Sequence, residues 1–295
     1  MKAIFEEYGG AIVTVAVVLV LLVALGIYNT STNKGSGVAK KVSEGTSDVT
    51  YKYKQTYFDT HDFREGVQDK YVSKEESQVG NYVDYNNDGT VDGVIFADLL
   101  HSKSGTYNAQ STLAGFAYGE KENKNKTMKD YYLSGKYKNN ITGNTSKNVL
   151  VPTSKGKSRF MILSLRDYGN FTWYKNAKYI GNYHNCQSNF GNGQLNCRQF
   201  LQTYPSNGSR YNQDIWVSCA SFINSGWFIP SEGEWAAVAK NLNIDVDYRS
   251  KGFQPTYWSS TLFSAATVRT ISLQNRGIIN STLSNIAAVR LARYC

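Results

Sequence analysis

Near its amino end the chain carries an apolar segment long enough to cross a bilayer. Residues 9–28 contain no charged side chain, and residues 11–27 read AIVTVAVVLVLLVALGI. About 20 apolar residues span a bilayer core, whereas the apolar region of a cleaved signal peptide is usually shorter and ends at a small-residue cleavage site. The pattern therefore predicts a single-pass anchor in a cell membrane, preceded by a short tail at residues 1–8.

Two observations disagree about the side of the membrane on which the rest of the chain lies. The lysines Lys34, Lys40 and Lys41 follow the span, and the positive-inside rule would place them in the cytoplasm. Four cysteines, a polar linker and a tyrosine-rich body are typical of extracellular proteins instead. We expect the carboxyl-terminal domain to be extracellular.

After the span, the hydrophobic pattern divides the chain into a linker and one folded domain. Residues 29–50 are mostly Ser, Thr, Gly and Lys, which predicts a flexible stalk because such a segment cannot bury enough apolar surface to fold. Residues 51–295 form the predicted domain. Within it, Ser158–Trp173 contains a continuous apolar run, MILSL, then a turn and FTWY, which together predict a pair of strands with the first buried on both faces.

The last 70 residues hold the clearest local signals. In GWFIPSEGEW, Ser231 and Glu234 have the spacing of a capping box, and Glu232 and Glu234 are both explained as helix-capping carboxylates. The helical spacing of Trp235, Val238, Ala239 and Leu242 predicts one buried stripe. Strand-like runs follow at Tyr257–Thr261 and Ala287–Leu291, so the whole pattern favours an α+β fold, mixed and mostly antiparallel, with two or more short helices.

Composition favours a binding protein outside the cell. Charged residues are only 19% of the chain, whereas it contains 22 Tyr and 13 Phe. The net charge of +9 could indicate a nucleic-acid partner, but the lysines are scattered and no helix-turn-helix or finger motif is present. We therefore expect no nucleic-acid partner and attribute the charge to solubility or to anionic surfaces.

One loop has the oxygen-ligand spacing of a calcium site. The spacing is formed by Asp84, Asn86, Asp88 and Asp92, with Gly89 where a sharp turn is needed. The twelfth position is Ile95 instead of a bidentate Glu. The alternative is an Asx-rich turn that starts a helix at VDGVIFADLL, and we place this turn ahead of calcium. We expect no other cofactor.

The four cysteines predict disulfides rather than metal binding or catalysis. Cys186 and Cys197 flank a short Asn/Gly loop and can close it, which leaves Cys219 with Cys295, although four cysteines allow three pairings. The chain has no C-x-x-C motif for zinc, no G-x-S-x-G nucleophile elbow and no H-E-x-x-H motif. The sequence therefore favours binding over catalysis.

Three segments together carry a resemblance to a known family. G-W-F-I-P-S-x-x-E-W, Y-W-S-S-T and the terminal A-V-R-L resemble the C-type-lectin-like fold in its formylglycine-generating-enzyme-like branch. More narrowly, the chain resembles the bacterial and phage variable proteins diversified by diversity-generating retroelements. Segments Val83–Leu99, Lys129–Tyr137 and Ser158–Tyr174 are similar to the same family. The resemblance implies a variable segment at about residues 257–291 whose altered side chains line a ligand-binding face.

Within that segment, alternation along strands and exposed bulky or Arg side chains select the ligand-facing positions. These are Leu262, Phe263, Arg269, Gln274, Arg276, Asn280, Ser281, Leu283 and Asn285. No Asp or Glu occurs from Lys251 to Cys295, which predicts an acidic or polyhydroxylated ligand.

The expected function is a membrane-anchored, surface-displayed receptor or adhesin for a protein or glycan ligand on another surface. The alternatives are a pilin-like or envelope structural subunit and, less in keeping with the cysteine context, an oxidase of the formylglycine-generating type.

Overall fold

The structure is a computed structural model that describes residues 72, 75–105, 107, 115–119, 129–134, 137, 149–153, 156–174, 186–203, 214–244 and 247–295. The predicted tail, membrane anchor and stalk lie outside these residues, so they stay predictions. Within the described part of the chain, no helix has the length and apolar character needed to cross a membrane.

The described residues form mostly strands, with four short helices among them. The strands are β1 Tyr82–Val83, β2 Gly93–Asp98, β3 Lys103–Gly105, β4 Phe116–Tyr118, β5 Tyr131–Ser134, β6 Val149–Pro152, β7 Phe160–Ser164, β8 Gly169–Thr172, β9 Trp227–Phe228, β10 Thr256–Ser264, β11 Thr267–Ser272, β12 Gly277–Thr282, β13 Ile286–Val289 and β14 Ala292–Tyr294. The helices are α1 Gly193–Thr203, α2 Ile215–Ser218, α3 Ala220–Asn224 and α4 Glu232–Asn241. This confirms the predicted α+β class.

The described strands assemble into three sheets. A seven-stranded sheet has the order β5-β6-β1-β2-β7-β14-β9, a five-stranded sheet has the order β12-β11-β10-β13-β8, and β3 pairs with β4. Strands β1 and β6 are parallel, as are β10 and β13, and the other pairs are antiparallel. The terminal strand β14 lies between β7 and β9, so the chain's end is part of the larger sheet.

Helix α4 is buried between the two larger sheets. It contacts β2 on one side and β10 and β11 on the other. Its Trp235 ring packs 4.8 Å from the Tyr257 ring, and its indole N–H donates to the Trp258 carbonyl at 3.1 Å. Every residue from Glu232 to Ala239 is buried. The predicted stripe is therefore only part of the buried surface, because sheets cover more than one face of the helix.

The MILSL run is a buried strand, as predicted, but its neighbour in sequence is not its partner. All five residues of β7 are buried, and β7 pairs with β2 and β14. The following strand, β8, pairs with β13 in the five-stranded sheet. The turn between β7 and β8 thus carries the chain from one sheet to the other, and the prediction that the two strands pair is wrong.

The helix predicted over VDGVIFADLL is also wrong. Gly93–Asp98 is strand β2, which lies between β1 and β7. A short apolar run does not distinguish a buried strand from a helix by periodicity. Here Ile95, Phe96 and Ala97 are all fully buried because the strand lies inside the sheet and helix α4 packs against it.

Candidate ligand-binding face

The YWSST motif, Tyr257–Thr261, is the first of two anchors that connect the predicted variable segment to the rest of the domain. The Trp258 indole N–H donates to the Phe171 carbonyl at 2.6 Å, and the Ser259 hydroxyl donates to the Arg269 carbonyl at 2.7 Å. The Thr261 hydroxyl accepts from the Glu232 N–H at 3.0 Å. Each of these side chains thus forms a hydrogen bond with a backbone group of a neighbouring element, so the motif connects β10 to β8, β11 and α4.

The second anchor, AVRL, is joined to the first through one carboxylate. Arg290 Nε donates to Asp167 Oδ1 at 2.7 Å, and the Tyr257 hydroxyl donates to the same oxygen at 2.9 Å. The Arg290 guanidinium also lies 4.1 Å from the Phe253 ring centroid and donates to the Gly252 carbonyl. Both ends of the predicted variable segment are therefore fixed by buried or half-buried contacts.

Three of the predicted ligand-facing residues come together with an unexpected fourth. We call Phe263, Arg269, Asn280 and Glu232 the terminal cluster. Arg269 and Asn280 are paired across β11 and β12, and the guanidinium donates to Asn280 Oδ1 at 2.7 Å. The same guanidinium lies 4.1 Å from the Phe263 ring centroid, and Arg269 Nε lies 3.4 Å from Glu232 Oε2. Phe263 is 51% exposed.

Glu232 has a role that the sequence analysis missed. The capping box is formed by Ser231 and Glu234, as predicted, whereas the buried Glu232 side chain pairs with Arg269. The sequence does contain a signal for this role, because the first turn of the helix has a second acidic residue that the capping box does not use. Its partner lies 37 positions further along the chain, beyond the reach of any local pattern.

The other exposed predictions lie at the two ends of the β11–β12 hairpin. Gln274 and Arg276 are exposed in the turn between the strands, where Arg276 has a left-handed φ of 52°. Asn285 is exposed in the turn after β12, and its side-chain oxygen accepts from the Thr282 hydroxyl at 2.8 Å. These residues share the hairpin with the terminal cluster but do not contact it within the described hydrogen bonds.

Three predicted ligand-facing residues are wrong because they are buried. Leu262, Ser281 and Leu283 belong to the buried part of the domain. Leu262 pairs with Val268, which pairs with Ser281, so this row of side chains lies on one face of the sheet. Phe263, the next residue of β10, is exposed, and because successive side chains of a strand point to opposite faces, Leu262 and Phe263 cannot both be ligand-facing.

The sequence analysis did not select two exposed apolar residues of the hairpin region as ligand-facing positions. Ile279 is 40% exposed and Ile286 is 71% exposed. Ile279 belongs to β12, which among the described strands pairs with β11 alone, so no second described strand covers it.

The segment Lys251–Cys295, which contains no Asp or Glu, carries less uncompensated positive charge in the structure than its sequence indicates. Carboxylates from elsewhere pair with two of its arginines, Glu232 with Arg269 and Asp167 with Arg290. The expectation of an acidic ligand therefore loses part of its basis, and the exposed side chains of the hairpin and its turns are mainly amides, hydroxyls and apolar groups, together with Arg276.

The predicted disulfides are absent. Cys186, Cys197, Cys219 and Cys295 are free and buried. The Cys197 sulfur accepts from the Ile229 N–H at 3.2 Å, and the Cys295 backbone pairs with Phe160. Burial raises the pKa of the thiols of Cys186, Cys219 and Cys295 to about 12, which leaves little reactive thiolate at neutral pH.

The candidate calcium loop is the Asx-rich turn. The Asp84 carboxylate accepts from the N–H groups of Asp88 at 3.2 Å and Gly89 at 2.9 Å. Asp92 accepts from the Tyr85 N–H at 3.0 Å, and the Asn86 amide donates to Asp88. Among the described residues no group of three or more His, Cys, Asp or Glu side chains is arranged to hold a metal ion. Of the two interpretations, the structure supports the turn.

Glu234 links the loop before α1 to the start of α4. One carboxylate oxygen accepts from the N–H groups of Gly191 at 3.1 Å and Gly193 at 3.2 Å, and the other accepts from the Ser231 N–H at 2.7 Å. Burial raises the pKa of Glu234 to about 7, against the lowering effect of these three donors.

We predict that the free energy of unfolding decreases as the pH rises from about 4.5 to 7 and changes little above 7. In that window the unfolded chain ionises Glu234 while the folded chain keeps the proton, so the folded state loses relative stability. Burial also raises the pKa of Asp92 to about 7, which adds to the same slope. Urea unfolding at several pH values should show a smaller slope for Glu234→Gln and for Asp92→Asn. A slope that neither change reduces would contradict this assignment.

Comparisons with known proteins give no family. No protein-family model matches the chain, and no curated protein matches it. Among solved structures, a fimbrial protein from Bacteroides ovatus ATCC 8483 is similar with a TM-score of 0.40 and 13% sequence identity, over 75% of this chain and 49% of that chain. The alignment thus spans about half of the fimbrial protein, and a likeness at this level carries no argument about function.

Proposed function

We propose that the chain is a membrane-anchored, surface-displayed receptor or adhesin of the C-type-lectin-like kind, which binds a protein or glycan ligand through the terminal cluster. The observation that carries the proposal is the exposed Phe263 ring stacked on the Arg269 guanidinium, with Asn280 and Glu232 holding that guanidinium in place.

The chemistry of the cluster is that of a binding surface. Aromatic and arginine side chains dominate the affinity of protein interfaces, and the cluster places an exposed aromatic ring directly against an arginine. Because Arg269 already has its contacts, little side-chain entropy is lost when a ligand arrives. An arginine held in place in this way is better suited to bind a ligand than an arginine without such contacts.

The framework beneath the cluster supports the resemblance to variable proteins. The anchors are fixed by contacts of Trp258, Ser259, Thr261 and Arg290, none of which uses the side chain of Phe263 or Asn280. Exposed positions on such a base can change without loss of the fold. Sequencing the flanking DNA tests this part: a reverse transcriptase gene and a near-copy of the last coding stretch are expected, and their absence would contradict diversification.

We predict that Phe263→Ala and Arg269→Ala each weaken ligand binding at least tenfold. Phe263→Ala should leave the melting temperature almost unchanged, whereas Arg269→Ala should also lower it, because it leaves the buried Glu232 carboxylate unpaired. The full chain would be immobilised and probed with arrayed neutral and anionic glycans and with cell-surface preparations at two salt concentrations. Truncating a central aromatic or arginine contact typically costs more than about 1.4 kcal/mol, which is a tenfold change in affinity.

Helix α1 offers matched controls. Leu195 is 50% exposed, close to the 51% of Phe263, and Arg198 is also exposed. Leu195→Ala and Arg198→Ala should bind like the unmodified chain. Binding that depends on the α1 residues instead of the cluster, or no binding to any of these probes, would contradict the proposal.

A further inference from the structure

A cavity of about 670 Å³ lies outside the terminal cluster, between the β3–β4 hairpin, the loop before α1 and the last strand. Its volume falls within the range of roughly 300–1,000 Å³ that is usual for small-molecule sites. None of the predicted ligand-facing residues lines it. We propose that this cavity binds a sugar ring that carries a carboxylate, such as a uronic acid or a sialic acid.

The aromatic part of the lining provides a surface for the apolar face of a ring. Tyr118 and Phe190 are stacked with centroids 4.9 Å apart and planes 26° apart, and Tyr294 lines the cavity from β14. A pyranose has one face of C–H groups and a perimeter of hydroxyls, so it can pack on aromatic rings while its edge meets polar groups. An extended apolar ligand would match only half of this lining.

The remaining lining provides the polar groups that such a perimeter requires. Ser102 and Ser104 contribute hydroxyls, and Asn192 contributes an amide that can both donate and accept. Lys103 is exposed at the same place, and no salt bridge to it is formed within the described part of the chain. Its ammonium group is the natural partner of a ligand carboxylate, because charge-assisted hydrogen bonds are the stronger ones.

The cavity is held in shape by contacts behind its lining. The Gly191 N–H donates to Glu234, and the Asn241 amide donates to the Tyr118 hydroxyl at 3.0 Å. Gly119 packs so closely on Ser102 that a Cβ would lie 2.8 Å from the Ser102 Cα. A site formed in advance loses less free energy to ordering when its ligand binds.

The test uses the full chain and saturation-transfer NMR with glucuronic acid, N-acetylneuraminic acid, glucose and acetate. We expect transfer to both acidic sugars, with dissociation constants at least tenfold lower than that of glucose, and no transfer to acetate, which has the charge but lacks the ring. Transfer to acetate equal to that of the acids, or no transfer to any sugar, would overturn the proposal.

Matched variants locate the binding. Ala117→Phe fills the cavity from an exposed position of β4 and should abolish transfer, whereas Ala266→Phe adds the same ring at an exposed position outside the lining and should not. Lys103→Gln should weaken the acidic sugars at least tenfold and leave glucose unchanged, whereas Lys240→Gln, at an exposed lysine of α4, should alter neither.

These variants distinguish a failure of the cavity proposal from a failure of the proposed binding at the terminal cluster. If Phe263→Ala abolished sugar binding and Ala117→Phe did not, the sugar would occupy the terminal cluster and the cavity proposal would fail. If Ala117→Phe alone abolished it, the cavity proposal would stand whether or not the terminal cluster binds a ligand.

Discussion

Replacing Glu234 with alanine is expected to lower the free energy of unfolding by about 3 kcal/mol or more, because it leaves the N–H groups of the buried Gly193 and Ser231 and of the half-buried Gly191 without their acceptor. The carboxylate is fully buried and is one half of the capping box that starts α4. Since α4 lies between both larger sheets, the loss should affect the whole domain. Denaturant unfolding followed by circular dichroism measures the change.

Two further variants separate this explanation from a general effect of acidic residues. Glu75 is exposed, so Glu75→Gln should change the free energy of unfolding by less than about 1 kcal/mol. Gly193→Ala approaches the same site from the other side, because a Cβ at Gly193 would overlap the Glu234 carboxylate and lie 2.9 Å from the Ile229 carbonyl oxygen. We expect Gly193→Ala to be strongly destabilising, and a neutral result for it and for Glu234→Ala would contradict the role of this contact.

Leu283→Ala is expected to lower the free energy of unfolding by about 2–5 kcal/mol, although the residue lies in the predicted variable segment. Its side chain is only 2% exposed and belongs to the main core. Phe263→Ala should cost less than about 1 kcal/mol, because the ring is half-exposed and loses mainly its contact with Arg269. Thermal melts of the single variants compare them directly.

Arg276 provides the tolerant control in the same hairpin. It is exposed and adopts a left-handed backbone conformation, so Arg276→Asn should be neutral or slightly stabilising, since Asn accepts that conformation well. If Leu283→Ala were as mild as Arg276→Asn, the core position of Leu283 would be wrong. If Phe263→Ala unfolded the domain, Phe263 would be a core residue and the terminal cluster could not be a replaceable binding surface.

The sequence predicted those parts of the domain whose cause is local. The capping box joins residues three positions apart, and the MILSL run has the composition of a buried strand wherever it is placed. The strands at β10 and β13 were found for the same reason. Predictions fail where a local pattern is ambiguous or side-chain type outweighs alternation. The apolar run of β2 suits a helix as well as a strand, and Leu262 and Phe263, neighbours on β10, cannot both face a ligand.

The candidate site was recognised only in part because its contacts join distant positions. Phe263, Arg269 and Asn280 were selected by alternation and side-chain type, which are properties of the segment itself. Only the tertiary structure brought Glu232 to Arg269 and Asp167 to Arg290, and so reduced the positive charge that the segment shows in isolation.

The cysteines and the cavity also depend on contacts between distant positions, which the sequence does not show. Four cysteines in the sequence predict two disulfide bonds, but in the structure all four thiols are free and buried in the core. The cavity combines β3, β4, the loop before α1 and β14, segments that no sequence window contains together. The sequence alone therefore determined the fold class, the capped helix and some of the exposed hairpin side chains, because hydrogen bonding and burial act there over a few residues. Charge pairing, thiol state and the cavity were decided by the tertiary structure, because each depends on which distant side chains the two sheets bring into contact.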